Sequence, residues 1–159
     1  MANMTTMAGR VVGKILVVDD EVELKNALVE GLLKRSFEAR GYTGGYEALE
    51  ALRVETFDLL ISDLVMPEMD GIVLIKAALE IDPHLVALIM TGQGTIQTAV
   101  AAEEAGVFEY ILKPFRLQTL MPILIRALDT RRLRMESATR ETRWRHNAAR
   151  RFRKNWIRT

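Results

Sequence analysis

Five polar side chains in this sequence are of types that bind a divalent cation and a phosphoryl group. They are Asp19, Asp20, Asp63, Thr91 and Lys113. Neighbouring carboxylates repel one another unless a cation lies between them, and oxygen ligands without His or Cys favour Mg²⁺. A lysine ammonium and a threonine hydroxyl suit a phosphoryl group whose charge spreads over three oxygens. One carboxylate of such a set can serve as the nucleophile and form an aspartyl phosphate.

Each of these residues is predicted to follow a short apolar strand. Residues 14–18 precede Asp19 and Asp20, residues 58–61 precede Asp63, 85–90 precede Thr91, and 108–112 precede Lys113. Short apolar runs bounded by turn residues are typical of buried parallel strands. Because chemistry in an open parallel sheet lies beyond the carboxyl ends of its strands, we expect these side chains to converge there.

The elements between these residues predict a flavodoxin-like doubly wound α/β fold. Strands alternate with helices predicted near 22–35, 45–55, 71–81 and 95–104 and around Leu120 to Leu128. The expected sheet has five parallel strands in the order 2-1-3-4-5 with helices on both faces. The more polar segment 37–42 is predicted to be an edge strand. Asp70 and Thr119 are the predicted N-caps of the third and last helices, and Gly106 the left-handed residue after the fourth.

Composition and charge divide the chain into three segments. It has 159 residues, no cysteine and 49% hydrophobic residues. It has no run long enough to span a membrane and no signal-like start, so we expect a cytoplasmic protein. Residues 130–159 hold eleven Lys/Arg against two acids, whereas residues 1–129 hold eleven against nineteen. We expect a disordered leader over 1–12, one domain over 13–130, and a basic Arg-rich extension over 131–159, as helix or linker.

The motifs that carry the candidate residues resemble those of one known family. They are Asp19-Asp20, Asp63 with Met66-Pro67 and Gly71, Thr91-Gly92, and Tyr110-x-x-Lys113-Pro114. These motifs in this order, over about residues 13–130, resemble a response-regulator receiver domain of the CheY-like superfamily. The resemblance implies two-component signal transduction by a phosphorylated switch rather than an enzyme.

The resemblance also assigns a role to each residue. It implies that Asp63 accepts a phosphoryl group from a histidine kinase. It implies Asp20, Asp63 and the carbonyl of Val65 as Mg²⁺ ligands, with Asp19 acting through a water. It further implies that Lys113 pairs with the phosphate, that Thr91 moves onto it, and that Tyr110 turns inward as the switch aromatic. The Lys113–Pro114 bond is expected to be cis.

Other interpretations of these residues remain open from sequence. Asp19-Asp20 alone could cap the first helix, and Lys113 alone is most often a solvated charge. A haloacid-dehalogenase-like phosphatase also uses an aspartyl phosphate and Mg²⁺, but it requires Asp-x-Asp after its first strand where this chain has Asp-Asp-Glu. A non-phosphorylated interaction module is the third alternative.

The basic extension has one apolar stripe, in which Trp144, Ala148, Phe152 and Trp156 are spaced four residues apart. Such a helix can lie on a membrane, enter a partner's groove, contact nucleic acid phosphates, or serve as a solvated linker. It is too short for a helix-turn-helix domain, so we do not expect nucleic acid binding through a dedicated domain. The expected partners are a sensor histidine kinase or phosphotransfer protein. A second copy of the chain is also expected, through the fourth helix, fifth strand and fifth helix or through the extension.

Overall fold

A computed structural model describes residues 11–156, with the side chains of 155 and 156 left undescribed. Most of the predicted leader therefore lies outside the described residues. Strands and helices alternate five times along the chain. Their bounds are β1 Lys14–Val18, α1 Val22–Leu33, β2 Glu38–Tyr42, α2 Gly45–Val54, β3 Leu59–Asp63, α3 Gly71–Ile81, β4 Val86–Thr91, α4 Ile96–Glu104, β5 Glu109–Leu112 and α5 Leu117–Trp156.

The five strands form one parallel sheet in the order β2-β1-β3-β4-β5, as the sequence predicts. All residues of β3 and β4 are buried, because these strands have neighbours on both sides and helices on both faces. The more polar strand β2 lies at one edge, as expected. β3 is two residues longer than its apolar run, so Asp63 is the last residue of the strand itself.

Two apolar clusters cover the two faces of the sheet. One cluster packs α2 and α3 on side chains such as Leu16, Leu60 and Ile89. The other packs α1 and α5 on side chains such as Ile15, Ile61 and Leu88. Adjacent residues of one strand thus enter opposite clusters, which is the alternation expected of a sheet in a three-layer sandwich. This arrangement fixes the strand ends that carry the candidate residues.

The predicted caps can be compared with the helices directly. Asp70 Oδ1 accepts a hydrogen bond from Val73 N at 2.8 Å, which confirms it as the N-cap of α3. Gly106 has φ +91° after α4, as expected. The prediction for Thr119 is wrong, because α5 begins at Leu117 and Leu120 N already donates to Arg116 O at 3.2 Å.

Helix α5 continues without a break through residue 130, where the domain was expected to end. The expectation that residues from 131 onward lie outside the sandwich is wrong for Arg131. Its side chain is only 4% exposed and binds Asp58 and Asp82 below the amino ends of β3 and β4. Arg134 also donates to the Leu85 carbonyl at 3.1 Å. Two residues of the apparent linker, Arg131 and Arg134, therefore bind the domain, because α5 extends past this edge of the sheet.

None of the described helices has a stretch apolar and long enough to cross a lipid bilayer.

Candidate functional site

The three predicted carboxylates converge at the carboxyl edge of the sheet. Asp19 follows β1 and is completely buried, Asp63 ends β3 and is 6% exposed, and Asp20 is exposed. One carboxylate oxygen from each lies within 4.8 Å of the others. The convergence follows from the sheet order, since β1 and β3 are neighbours with Val18 paired to Ser62. Three acids distant in sequence thus form one anionic cluster.

Lys113 places its ammonium between the two buried acids. Its Nζ lies 2.8 Å from Asp19 Oδ2 and 3.4 Å from Asp63 Oδ2. Lys113 N donates to the carbonyl of Thr91 at 2.8 Å, and the Lys113–Pro114 bond is cis, as the resemblance implies. The ammonium therefore offsets part of the negative charge of the cluster.

Thr91 completes the set at the end of β4. The residue is 1% exposed, and its Oγ1 accepts a hydrogen bond from Gln93 N at 3.1 Å. A Cβ added to Gly92 would meet nothing within 4 Å, so the approach beside Thr91 is open. The hydroxyl is thus held at the same edge as the acids, next to unfilled space.

The loop after Asp63 is shaped by a close backbone contact. Gly71 N donates to Leu64 O at 2.8 Å, and a Cβ on Gly71 would lie 2.3 Å from the Asp63 carbonyl oxygen. Only glycine fits here without moving the strand end. Val65 lies in this loop, and its side chain is 61% exposed. The loop therefore returns to the start of α3 directly against the residue that carries the central carboxylate.

The electrostatics of the cluster follow from burial and charge. Burial and the charge of Asp19 raise the pKa of Asp63 to about 6, against the opposing charge and hydrogen bond of Lys113. Burial alone would lower the pKa of Lys113. The hydrogen bond and charge of Asp19, together with those of Asp63, outweigh burial and raise that pKa above its usual value. Negative charge in the cluster thus exceeds what one ammonium compensates.

This donor set fits a magnesium ion. Its ligand atoms are all carboxylate oxygens, and Mg²⁺ takes one or two carboxylates together with waters and phosphate oxygens. The excess negative charge at two buried acids is the condition that a divalent cation relieves. The exposed Asp20 leaves the cluster open to solvent on one side, as a hydrated ion requires.

Tyr110 lies on β5, two strands from β3, and makes a contact that the sequence did not predict. Its side chain is half-buried, and its hydroxyl lies 2.9 Å from Thr98 Oγ1 in the first turn of α4. Thr98 also forms a capping box with Thr95, each side chain accepting the other's backbone N–H. The spacing Thr95-x-x-Thr98 resembles a capping-box pattern, and it was the feature of the sequence that could have predicted this cap of α4.

The structure supports only in part the interpretation that Asp19-Asp20 caps the first helix. The N-cap of α1 is Glu21, and no side chain caps that helix. Asp19 Oδ1 nevertheless accepts a hydrogen bond from Glu21 N at 2.9 Å, which fixes the carboxylate at the end of β1. Asp19 therefore orients the loop while its other oxygen binds Lys113.

Comparisons with known proteins agree with this geometry. Residues 15–125 match the model of the response regulator receiver domain. The C4-dicarboxylate transport transcriptional regulatory protein DctD of Rhizobium meliloti is 35% identical over 123 residues, which cover 77% of this chain and 27% of DctD. The DNA-binding transcriptional regulator NtrC of Escherichia coli K12 is 35% identical over 117 residues, covering 74% of this chain and 25% of NtrC.

A solved structure shows the same fold over its whole length. The CheY-like receiver domain protein from Methanospirillum hungatei superposes with a TM-score of 0.74 at 25% identity, covering 77% of this chain and 98% of that one. The chain spans about a quarter of the length of the curated relatives DctD and NtrC. The residues that match the family model, 15–125, include the acidic cluster, Lys113 and Thr91. On this combined evidence the chain belongs to the response regulator receiver family, whose members act in two-component signalling.

Proposed function

We propose that Asp63 accepts a phosphoryl group from the phosphohistidine of a sensor histidine kinase or phosphotransfer protein. A carboxylate oxygen of Asp63 attacks phosphorus, the P–N bond breaks, and the departing imidazole nitrogen takes up a proton. The product is an aspartyl phosphate, a type of acyl phosphate. The proposal is supported chiefly by the convergence of Asp19, Asp20, Asp63, Thr91 and Lys113 at one sheet edge.

The other side chains have distinct roles in this proposal. Asp20, Asp63 and the Val65 carbonyl would hold Mg²⁺ directly and Asp19 through a water, and the ion would stabilise charge on the transferring oxygens. The ammonium of Lys113 binds a phosphoryl oxygen, for which it must leave part of its present contact with Asp19. The Thr91 hydroxyl donates to another phosphoryl oxygen. In this role the chain assists its own phosphorylation and dephosphorylation and turns over no separate substrate.

Phosphorylation is proposed to change the surface formed by α4, β5 and α5. Thr91 moves toward the phosphate and Tyr110 turns inward, which biases a two-state equilibrium of a few kcal/mol. This surface exposes apolar side chains, among them Ile96 at 85% and Leu112 at 60%. Exposed apolar groups on adjacent elements are typical of an interaction site. A second copy of the chain or an output partner is the proposed occupant.

The domain organisation and location complete the proposal. Residues 13–130 form the receiver, although α5 carries its packing a few residues further, and residues 131–159 form a basic extension. The family match favours this assignment over the haloacid-dehalogenase-like phosphatase and leaves the non-phosphorylated module to be excluded by experiment. We place the protein in the cytoplasm, where the phosphohistidine of its kinase partner would be available.

The test is incubation of the full chain with acetyl phosphate and Mg²⁺, followed by intact-mass measurement. We expect a gain of one phosphate in the parent and none in Asp63→Asn or after removal of Mg²⁺ with EDTA. Asp70→Asn is the matched control, since Asn also caps helices and Asp70 lies in the loop after β3. It should be phosphorylated like the parent.

The absence of a mass gain in the parent would contradict the proposal. A mass gain that persists in Asp63→Asn would contradict the assignment of the acceptor. Sustained hydrolysis of phosphate monoesters would favour the phosphatase alternative.

A further inference from the structure

The end of α5 carries a concentrated positive charge that the domain does not neutralise. Among the described side chains at this end, Arg143, Arg150, Arg151, Arg153 and Lys154 are exposed and have no carboxylate partner. Arg140 and Arg145 differ, because they pair with Glu136 and Glu141. The first 129 residues have a net negative charge. A polyanion would therefore be repelled by the domain and attracted to the helix end alone.

All of these cations except Arg153 lie on one face of the helix. Arg143, Asn147, Arg150 and Lys154 are separated by four, three and four residues, a spacing that aligns side chains along a helix. Asn147, Arg150, Arg151 and Lys154 line one shallow depression on this face. From Arg143 to Lys154 the axis rises about 16 Å, which matches about five base pairs of DNA. We define Arg143, Asn147, Arg150, Arg151 and Lys154 as the basic face.

The opposite face argues against a membrane as the partner. It carries the apolar stripe with Trp144, Ala148 and Phe152, but the ion pair between Arg145 and Glu141, 2.8 Å apart, lies on the same face. An interfacial helix buries its apolar face at the boundary of the acyl chains, where this pair would lose water. The basic face has no such interruption by acids. Binding of a polyanion through the basic face therefore fits the helix better than insertion of its apolar face into a membrane.

We propose that the basic face of α5 binds double-stranded DNA in the major groove. That groove admits an α-helix, and arginine and lysine on one face can reach phosphates on both of its walls. Asn147, in the middle of the face, carries the amide that can pair with the edge of an adenine. Neither the aspartyl phosphate nor the kinase enters this proposal, so it stands or falls independently of the proposed function.

The test is fluorescence anisotropy of a labelled duplex of about 30 base pairs, titrated with the full unphosphorylated chain at several salt concentrations. Each phosphate contact contributes about −0.9 to the slope of log K against log salt. The triple variant Arg143→Gln, Arg150→Gln, Lys154→Gln should reduce that slope by about 3. At 0.1 M salt this corresponds to a loss of affinity on the order of a few hundred-fold.

The single variants Arg150→Gln and Arg145→Gln form a matched pair, because each removes one positive charge from the same segment, on opposite faces of the helix. Arg150→Gln should reduce the slope by about 0.9, and Arg145→Gln should leave it nearly unchanged. Circular dichroism and urea unfolding show that each variant remains folded.

Four results would overturn the proposal. They are no binding at 50 mM salt, equal losses of affinity in Arg150→Gln and Arg145→Gln, tighter binding to a single strand of the same length, and binding to phosphatidylglycerol vesicles without binding to the duplex.

Discussion

At the scale of single residues, the fold stabilises the negative charge of ionised Asp63 only in part. Burial and Asp19 raise its pKa to about 6, although Lys113 lies 3.4 Å away. The folded chain therefore binds a proton at Asp63 more tightly than the unfolded chain, whose carboxyl has the ordinary value of 3.8. This contribution to stability is complete below pH 4 and is lost as the pH rises through about 6. Ionised Asp63 thus lowers the free energy of unfolding at neutral pH.

Replacing Asp63 by Asn should consequently stabilise the metal-free protein at neutral pH. We expect a gain of about 2 kcal/mol at pH 8, which is less than the full linkage value because water reaches part of the site. The gain should disappear below about pH 4, where the parent carboxyl is protonated as well. Urea unfolding in EDTA across pH 4–8 measures it.

Asp70→Asn provides the comparison, since Asp70 is exposed and caps α3. A gain of equal size in that variant, or a gain in Asp63→Asn that is the same at pH 4 and pH 8, would contradict the electrostatic explanation.

At the scale of elements, α4 is tied to β5 through one hydroxyl. Thr98 Oγ1 accepts from Thr95 N at 3.0 Å and lies 2.9 Å from the Tyr110 hydroxyl. The cap of α4 and the orientation of Tyr110 therefore share an atom. A rotation of Tyr110 would remove one partner of the residue that also closes the first turn of α4.

The isosteric change Thr98→Val should reveal this link. It removes half of the capping box and leaves the tyrosine hydroxyl without its partner, so we expect a loss of about 1–2 kcal/mol in stability. A double-mutant cycle with Tyr110→Phe should give a coupling of about 0.5–1 kcal/mol.

Thr139→Val is the control, because Thr139 is exposed on α5 and donates only to the Met135 carbonyl. Its effect should stay within about 0.5 kcal/mol. Additive effects of Thr98→Val and Tyr110→Phe would show that the two side chains are independent.

The limits of prediction from sequence are also visible in the elements. The ends of β1, β3, β4 and β5 were predictable because apolar runs stop at polar residues, and parallel order alone brings those ends together. The contact between Thr98 and Tyr110 was not predictable from sequence, because it depends on how closely α4 packs beside β5. The start of α5 was misjudged because Pro122 is tolerated in its second turn, at an exposed position.

At the scale of the whole molecule, Arg131 joins three parts of the chain. Its Nε lies 3.1 Å from Asp58 Oδ1, just before β3. Its Nη1 lies 2.9 Å from Asp82 Oδ2, just after α3. These partners are 73 and 49 residues away in sequence. Sequence pattern alone placed Arg131 in a solvated basic run, since nothing local marks it as different from Arg132. Only the folded chain shows that α5 passes over this edge of the sheet.

Arg131→Met should destabilise the protein by about 1–3 kcal/mol. The change keeps apolar volume but leaves Asp58 and Asp82 without their shared cation, and the estimate is reduced because Asp58 is partly exposed to solvent. Denaturant unfolding measures the loss.

Arg132→Met removes a neighbouring arginine whose ion pairs are exposed, and it should cost less than about 0.5 kcal/mol. Equal losses in the two variants would mean that Arg131 contributes only as a surface charge.

The length of α5 has a mechanical consequence. Its 40 residues extend about 60 Å, and the part beyond Arg131 extends about 37 Å. If Arg131 acts as a pivot, a tilt of 5° in the first turns, which follow β5 at the carboxyl edge of the sheet, would displace the far end by about 3 Å. A tilt too small to alter the packing of the sandwich would then move the end of α5 by a distance close to the rise of one base pair.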